Sequence, residues 1–381
     1  MAAPLAIAAA AGLLPIGAQR ASAQPKGVPI AETFQTADGV ELNGLFWPAG
    51  AEKAPKPSEA PVVVFLYPPG ADRDMTKGDW AGLAKVLNAE GYHVFQFDWR
   101  GHGKSTSIKD KQTFWGNPFL NTPQGGFNSY IKGGPPKTPL KNDLIFKDLG
   151  PNAPKYMPAY LVDLAAVRFH LDEKNDNKDL NTSSIYIVGA GDAAALGMGW
   201  LTAEWKRPAT APNVAQLAPN PNYLYTPQPV SGTWTGAGSD FSAAVWLTPG
   251  NPVSIPAPTI QRWVAAVSPK IRDNNPMLFM YAEKDEGGKK ASSFFYNEVL
   301  VAKPKAGLPI EPLEQTFMVD VKGAAQLQGV KLLGNNANLK TEDKIVQYFA
   351  AIQKVRQKIT SKARGYKDPY FISPGDFGLR P

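Results

Sequence analysis

The chain has 381 residues, 43% of them hydrophobic, with 36 prolines, 35 glycines and no cysteine. That length supports one large buried core or two smaller ones, and the lack of cysteine excludes a disulfide framework, thiolate metal ligation and a cysteine nucleophile. The formal charge of +7 comes from scattered Lys and Arg; with no basic run or aromatic-basic motif this argues against a nucleic-acid partner and suits an anionic envelope or matrix.

Residues 1–23 read as a signal peptide. An apolar, alanine-rich run spans 5–16, and Ala21, Ser22 and Ala23 offer the small residues that signal peptidase requires, with Gln24 the first mature residue. No positively charged n-region precedes the run. The expected location is secreted or periplasmic, and since no other apolar run reaches about 18 residues, no transmembrane segment is expected.

A linker at 24–32 leads into a domain expected over 33–353. Residues 33–48 (TFQTADGVELNGLFWP) alternate around the turn signal Asp38-Gly39 and predict a β-hairpin. The unbroken apolar run 61–67 (PVVVFLY) predicts a strand buried on both faces. A helix over 79–90 and a strand over 92–98 follow. A second helix is expected over 160–171, where Leu161, Leu164, Val167 and Leu171 share helical spacing. Further strands are read at 185–188, 243–247, 277–282 and 315–321, and 354–381 as the end of a C-terminal helix and a tail. This order calls for an α/β fold: a mostly parallel central sheet with helices on both faces and an antiparallel N-terminal hairpin.

Two long insertions rich in Pro and Gly interrupt the pattern, at 106–157 with Phe114, Trp115, Phe119, Phe127 and Tyr130, and at 206–238 with Tyr223, Tyr225 and Trp234. Loops of this length are usually lids or binding surfaces. Their aromatics imply that they fold onto something, the core or alternatively a ligand.

The segment 91–105 (GYHVFQFDWRGHGKS) resembles the α/β-hydrolase superfamily's G-Y-x-V-x-x-x-D-x-R-G-x-G-x-S run. Residues 36–44 and 277–285 extend the resemblance, which covers most of 33–353. By that resemblance Asp98 and Arg100 brace the turn after the fourth strand, Gly101 and Gly103 adopt backbone angles closed to other residues, and His93 and His102 are structural. His170 is most simply a surface or boundary residue.

The superfamily orders its catalytic groups nucleophile, acid, histidine. After 185–188 the chain reads Gly189-Ala190-Gly191-Asp192-Ala193, so Gly191 stands where G-x-S-x-G places the serine. Sliding the register by one makes Asp192 a carboxylate nucleophile, but its ester would need a histidine-activated water; the alternative role for Asp192 is a helix N-terminal carboxylate. Asp285 matches the acid. All three histidines precede residue 171, and Gln328 occupies the histidine's place, with Gln326 the alternative if the loop shifts. Glutamine accepts no proton near neutral pH. In the oxyanion loop Tyr67 is followed by Pro68 and Pro69, which carry no amide hydrogen.

No metal or cofactor is expected: the histidines are too far apart for a chelating motif, the Asp72, Asp74 and Asp79 group lacks a calcium-loop pattern, and neither GxGxxG nor a P-loop occurs. The resemblance therefore implies a hydrolase-fold protein with a degenerate triad at Gly191, Asp285 and Gln328, and residues 1–23 imply that it is exported. Its expected role is non-catalytic binding of a small molecule or an anionic envelope component, in a pocket including Tyr67, Pro68, Asp192 and Gln326. The alternative is a hydrolase of esters or amides using unconventional groups. The sequence does not set the oligomeric state.

Overall fold

The computed structural model describes residues 28–50, 52–54, 56–118, 120–121, 126–134, 139–211, 235–250, 257–302, 315–334 and 338–373. The expected signal peptide, much of the second insertion, and Phe119, Tyr223, Tyr225 and Trp234 lie outside the described residues.

Strands β1 (Ile30–Gln35) and β2 (Glu41–Trp47) form the expected hairpin around Asp38-Gly39. β1 begins three residues before the expected domain start at 33. β3 (Pro61–Leu66) is buried at every position, as its unbroken apolar run requires. α1 (Trp80–Ala89) and β4 (His93–Phe97) follow. The first insertion carries two short helices, α2 (Lys111–Gly116) and α3 (Ala153–Tyr156). Its Phe114, Trp115 and Phe127 are buried in the main core and Tyr130 packs against it, so these aromatics serve packing.

The chain continues through α4 (Leu161–Asp176), β5 (Asn181–Ala190), α5 (Ala193–Lys206) and β6 (Phe241–Leu247). The remaining elements are α6 (Ala257–Ala265), α7 (Ser268–Asn274), β7 (Met277–Ala282), α8 (Glu286–Ser293), β8 (Phe317–Val321) and α9 (Thr341–Arg356). The eight strands form one sheet in the order β1-β2-β4-β3-β5-β6-β7-β8. β2 runs antiparallel to both neighbours, and every other pair is parallel. This is the order and sense of the α/β-hydrolase fold.

Two of the segments that carry the resemblance are joined by a buried ion triad. The Arg100 guanidinium forks onto Asp38 of the hairpin turn at 2.7 and 2.9 Å and reaches Asp163 of α4 at 2.7 Å, all three side chains being fully buried. Asp98 accepts the Met75 and Lys104 amides at 2.7 and 3.1 Å. Gly103 has φ +48°, and a Cβ there would stand 2.0 Å from the Asp98 carboxylate, so both backbone and space demand glycine.

Part of the described chain beyond α9, which extends to residue 373, packs into the core. Arg364 is 1% exposed, and Tyr370, Phe371 and Ile372 are buried, so this segment belongs to the domain that sequence reading closes at residue 353. No described helix is long and apolar enough to cross a membrane.

Candidate functional site

A cleft of about 650 Å³ opens at the C-terminal ends of β3, β5, β6 and β7 and under the loop after β8. In open α/β sheets this is the edge where ligands bind. Its lining includes Tyr67 and Pro68 after β3, Gly191 and Asp192 after β5, Thr248 after β6, and Gln328.

At the end of β5 the backbone turns sharply into α5. Gly191 has φ +54°, whereas Asp192 has φ −63° and ψ −19°, already helical. The left-handed turn position is therefore Gly191, as a glycine allows, and not Asp192, which already belongs to the helix start. A Cβ on Gly191 would meet only Pro68, at 3.4 Å, so the space for a side chain persists though the chain supplies none. Gly189 is held small by Trp246, whose ring would lie 2.6 Å from an added Cβ.

Gln328 Nε2 donates to Asp285 Oδ1 at 2.8 Å, the contact that a triad histidine would make with its acid. The same oxygen accepts the Gly288 amide at 3.0 Å and caps α8, while the buried Oδ2 has no partner among the described residues. Gly329 places this loop over the elbow, since a Cβ on it would stand 3.7 Å from the Ala190 Cβ. Asp285 and Gln328 thus come together beside Gly191. Gln326 is exposed and does not line the cleft.

The histidines are committed elsewhere. His102 accepts the Gly70 amide on Nε2 at 3.0 Å, leaving Nδ1 to donate to the Arg100 carbonyl at 3.0 Å. His93 accepts the Ala49 amide on Nδ1 at 3.0 Å, and its Nε2 faces the Pro57 carbonyl at 3.1 Å. Burial lowers both to about 4, so each is neutral at physiological pH. His170, partly buried on α4, pairs with Glu32 of β1 at 2.8 Å. The Gly70 bond also matters for the oxyanion loop: the first amide hydrogen after Pro68 and Pro69 is spent on His102.

Asp192 lines the cleft without capping α5. Burial raises its carboxyl above the ordinary carboxylate range, with Arg73 opposing the shift. Sequence reasoning misses Arg73, Trp80, Thr248, Lys290 and Lys331, all of which line the cleft. Thr248 is the most telling. It is β-branched yet sits at φ +46°, a conformation such residues rarely adopt, and its buried hydroxyl has no partner among the described residues. The residue directly after each strand end is where a signal for it lay. No group of three metal-ligating side chains occurs among the described residues.

No protein-family model matches the sequence, and no curated protein matches it. Solved structures do. An esterase from Pyrococcus furiosus is similar at 12% identity over 84% of this chain and 90% of its own, with a TM-score of 0.43. Est1E from Butyrivibrio proteoclasticus, solved with ferulic acid bound, is similar at 12% identity over 84% of this chain and 100% of its own, with a TM-score of 0.44. Thermogutta terrifontis esterase 2, phosphorylated by paraoxon, is similar at 12% identity over 89% and 96%, with a TM-score of 0.44. At such identities and scores the strand order itself, rather than these likenesses, carries the assignment of the fold.

Proposed function

We propose that this chain is an exported α/β-hydrolase-fold protein that binds a small molecule or an anionic envelope component in the cleft beside Gly191 and does not hydrolyse it. The observation that carries the reading is the Gln328–Asp285 hydrogen bond at 2.8 Å next to a glycine elbow. The architecture of a triad is kept, but the nucleophile has no atom and the base cannot take a proton. What remains to stabilise an oxyanion is reduced, because Pro68 and Pro69 have no amide hydrogen and the Gly70 amide is engaged by His102.

Purified protein is expected to show no saturable turnover of p-nitrophenyl esters, since binding and oxyanion contacts alone leave at most about 10³ over water. A ligand screen by thermal shift should raise Tm without product formation. The Gly191→Ser/Gln328→His double variant should gain little, because the oxyanion donors are not restored. Saturable turnover by the unmodified protein, abolished by Asp192→Asn or Asp285→Asn, would establish the alternative, a hydrolase with unconventional groups; Asp192 is its candidate because its carboxyl lines the cleft.

Export rests on residues 1–23 alone. Protein recovered from outside the cytoplasm should begin at Gln24 by mass spectrometry, and an intact alanine-rich N-terminus on that material would refute it.

A further inference from the structure

We infer that the cleft selects an anion, a carboxylate or phosphate head carried on an apolar body, with the head toward Arg73, Lys290 and Lys331. This rests on the reading of the cleft as a binding site and adds the chemistry of what fills it. Four cationic residues, Arg73, Lys77, Lys290 and Lys331, line the cleft against two acids, Asp74 and Asp192. Asp74 is not free to balance the others: it holds Lys77 at 3.6 Å and both polar groups of Thr76. Among the described residues no carboxylate lies within ion-pair distance of Arg73, Lys290 or Lys331. Arg73 lies across Gly70, where a Cβ would be 3.2 Å from its Nε, and its charge is felt by Asp192. Three cations therefore face one carboxylate.

The walls supply the second half of the argument. Tyr67, Pro68, Trp80 and Val330 present apolar surface, which lowers the local dielectric and strengthens any charge contact made inside. The Trp80 indole N–H, a donor only, and the Thr248 hydroxyl, which can donate or accept, are both buried and have no partner among the described residues. The surplus cations call for an acceptor-rich, negatively charged ligand. A cationic ligand seated on Asp192 would meet the charge of Arg73, which already acts on that carboxyl, and a neutral one would leave the cleft's surplus positive charge unanswered.

The test is isothermal titration calorimetry on the full chain with octanoate and phenyl phosphate, which separate the two kinds of head, against octanamide and octylammonium. At least one anion should bind with an affinity that falls as salt rises. Arg73→Gln, Lys290→Gln and Lys331→Gln should between them weaken it, with about tenfold lost for a cation in direct contact. Lys354→Gln, on the exposed face of α9, should not. Asp192→Asn should tighten anion binding, because it removes the one opposing carboxylate. Octanamide binding as well as octanoate, or anion affinity indifferent to the three cation variants, would overturn the inference while leaving a binding cleft in place. Preferential binding of octylammonium, weakened by Asp192→Asn, would overturn it in favour of a cation site. Failure of every probe to bind, whatever its charge, would overturn both the inference and the binding reading. Saturable ester turnover would overturn only the non-catalytic reading.

Discussion

Asp285 has two hydrogen-bonding duties that survive without catalysis: its Oδ1 caps α8 through the Gly288 amide and receives Gln328. In a working triad its removal would be read in kcat. Here Asp285→Ala is expected to cost about 1–2 kcal/mol of stability, from the lost cap and the stranded amides, with background ester hydrolysis unchanged; urea unfolding beside a p-nitrophenyl ester assay checks both. His102 gives a pH-dependent counterpart. Its folded-state value is held at about 4 against 6.5 when exposed, so between those values the unfolded chain binds the extra proton. Its contribution is intact above 6.5 and is lost as pH falls toward 4, by at most about 1.4 kcal/mol per pH unit. His93 acts in the same sense, whereas Asp163, raised by burial, holds its proton more tightly when folded and acts in the opposite one. Comparing His102→Gln with the unmodified protein isolates the one term. The stability lost between about pH 7.5 and about pH 5 should be smaller in the variant, and an identical loss would mean that His102 is not buried neutral.

Among the elements, what the sequence disclosed depended on where each segment's partners come from. The run 277–282 is apolar throughout and forms β7 with the same bounds, because burial on both faces leaves its mark on every residue. β5 is different. Sequence reading starts it at 185, yet the strand begins at Asn181, since Asn181, Thr182, Ser183 and Ser184 look like a turn but are all buried. Their polar groups are answered from far along the chain, by Arg364 on Thr182 and Ser183 and by Ser242 on Ser184. Site residues divide in the same way. Gly191, Asp285 and Gln328 were legible because local motifs carry them, while Thr248 and the cleft's cations have no local signature and are assembled only by the sheet. The elbow also sets a testable packing limit. Gly197 of α5 faces Trp246, and a Cβ there would lie 2.3 Å from the ring, whereas Gly82 of α1 has nothing within 4 Å. Alanine is the better helix former by about 1 kcal/mol. Gly82→Ala should therefore raise the unfolding midpoint slightly, while Gly197→Ala should lower it by about 1–3 kcal/mol through overpacking.

For the molecule as a whole, the segment after α9 acts as a strap over a buried ionic cluster that joins α4, α5 and the entry to β6. Arg168 pairs with Asp172 at 3.0 Å and with Asp240 at 2.8 Å, Arg207 with Glu204 at 2.7 Å, and Arg364 with Asp240 at 3.0 Å. Three cations balance three carboxylates, all buried, and Tyr370 adds a hydrogen bond to Glu204. Such a cluster tolerates the interior only while it is complete, because removing one partner strands a desolvated charge. Arg364 also donates to Thr182 and Ser183 side chains and to the Ala209 carbonyl, and Asp176 accepts the Arg364 and Gly365 amides at 2.7 and 2.8 Å. Arg364→Ala is thus expected to destabilise the fold by about 3–5 kcal/mol. Arg364→Lys should recover only part of this, since a single ammonium cannot serve the separate acceptors that the guanidinium reaches. Ending the chain after Lys358 removes Arg364, Tyr370 and Phe371 together and should abolish cooperative unfolding, followed by circular dichroism in urea. A truncated protein that still unfolded in one transition at the original midpoint would show the strap to be dispensable, and the ionic cluster to be held by α4, α5 and the entry to β6 without it.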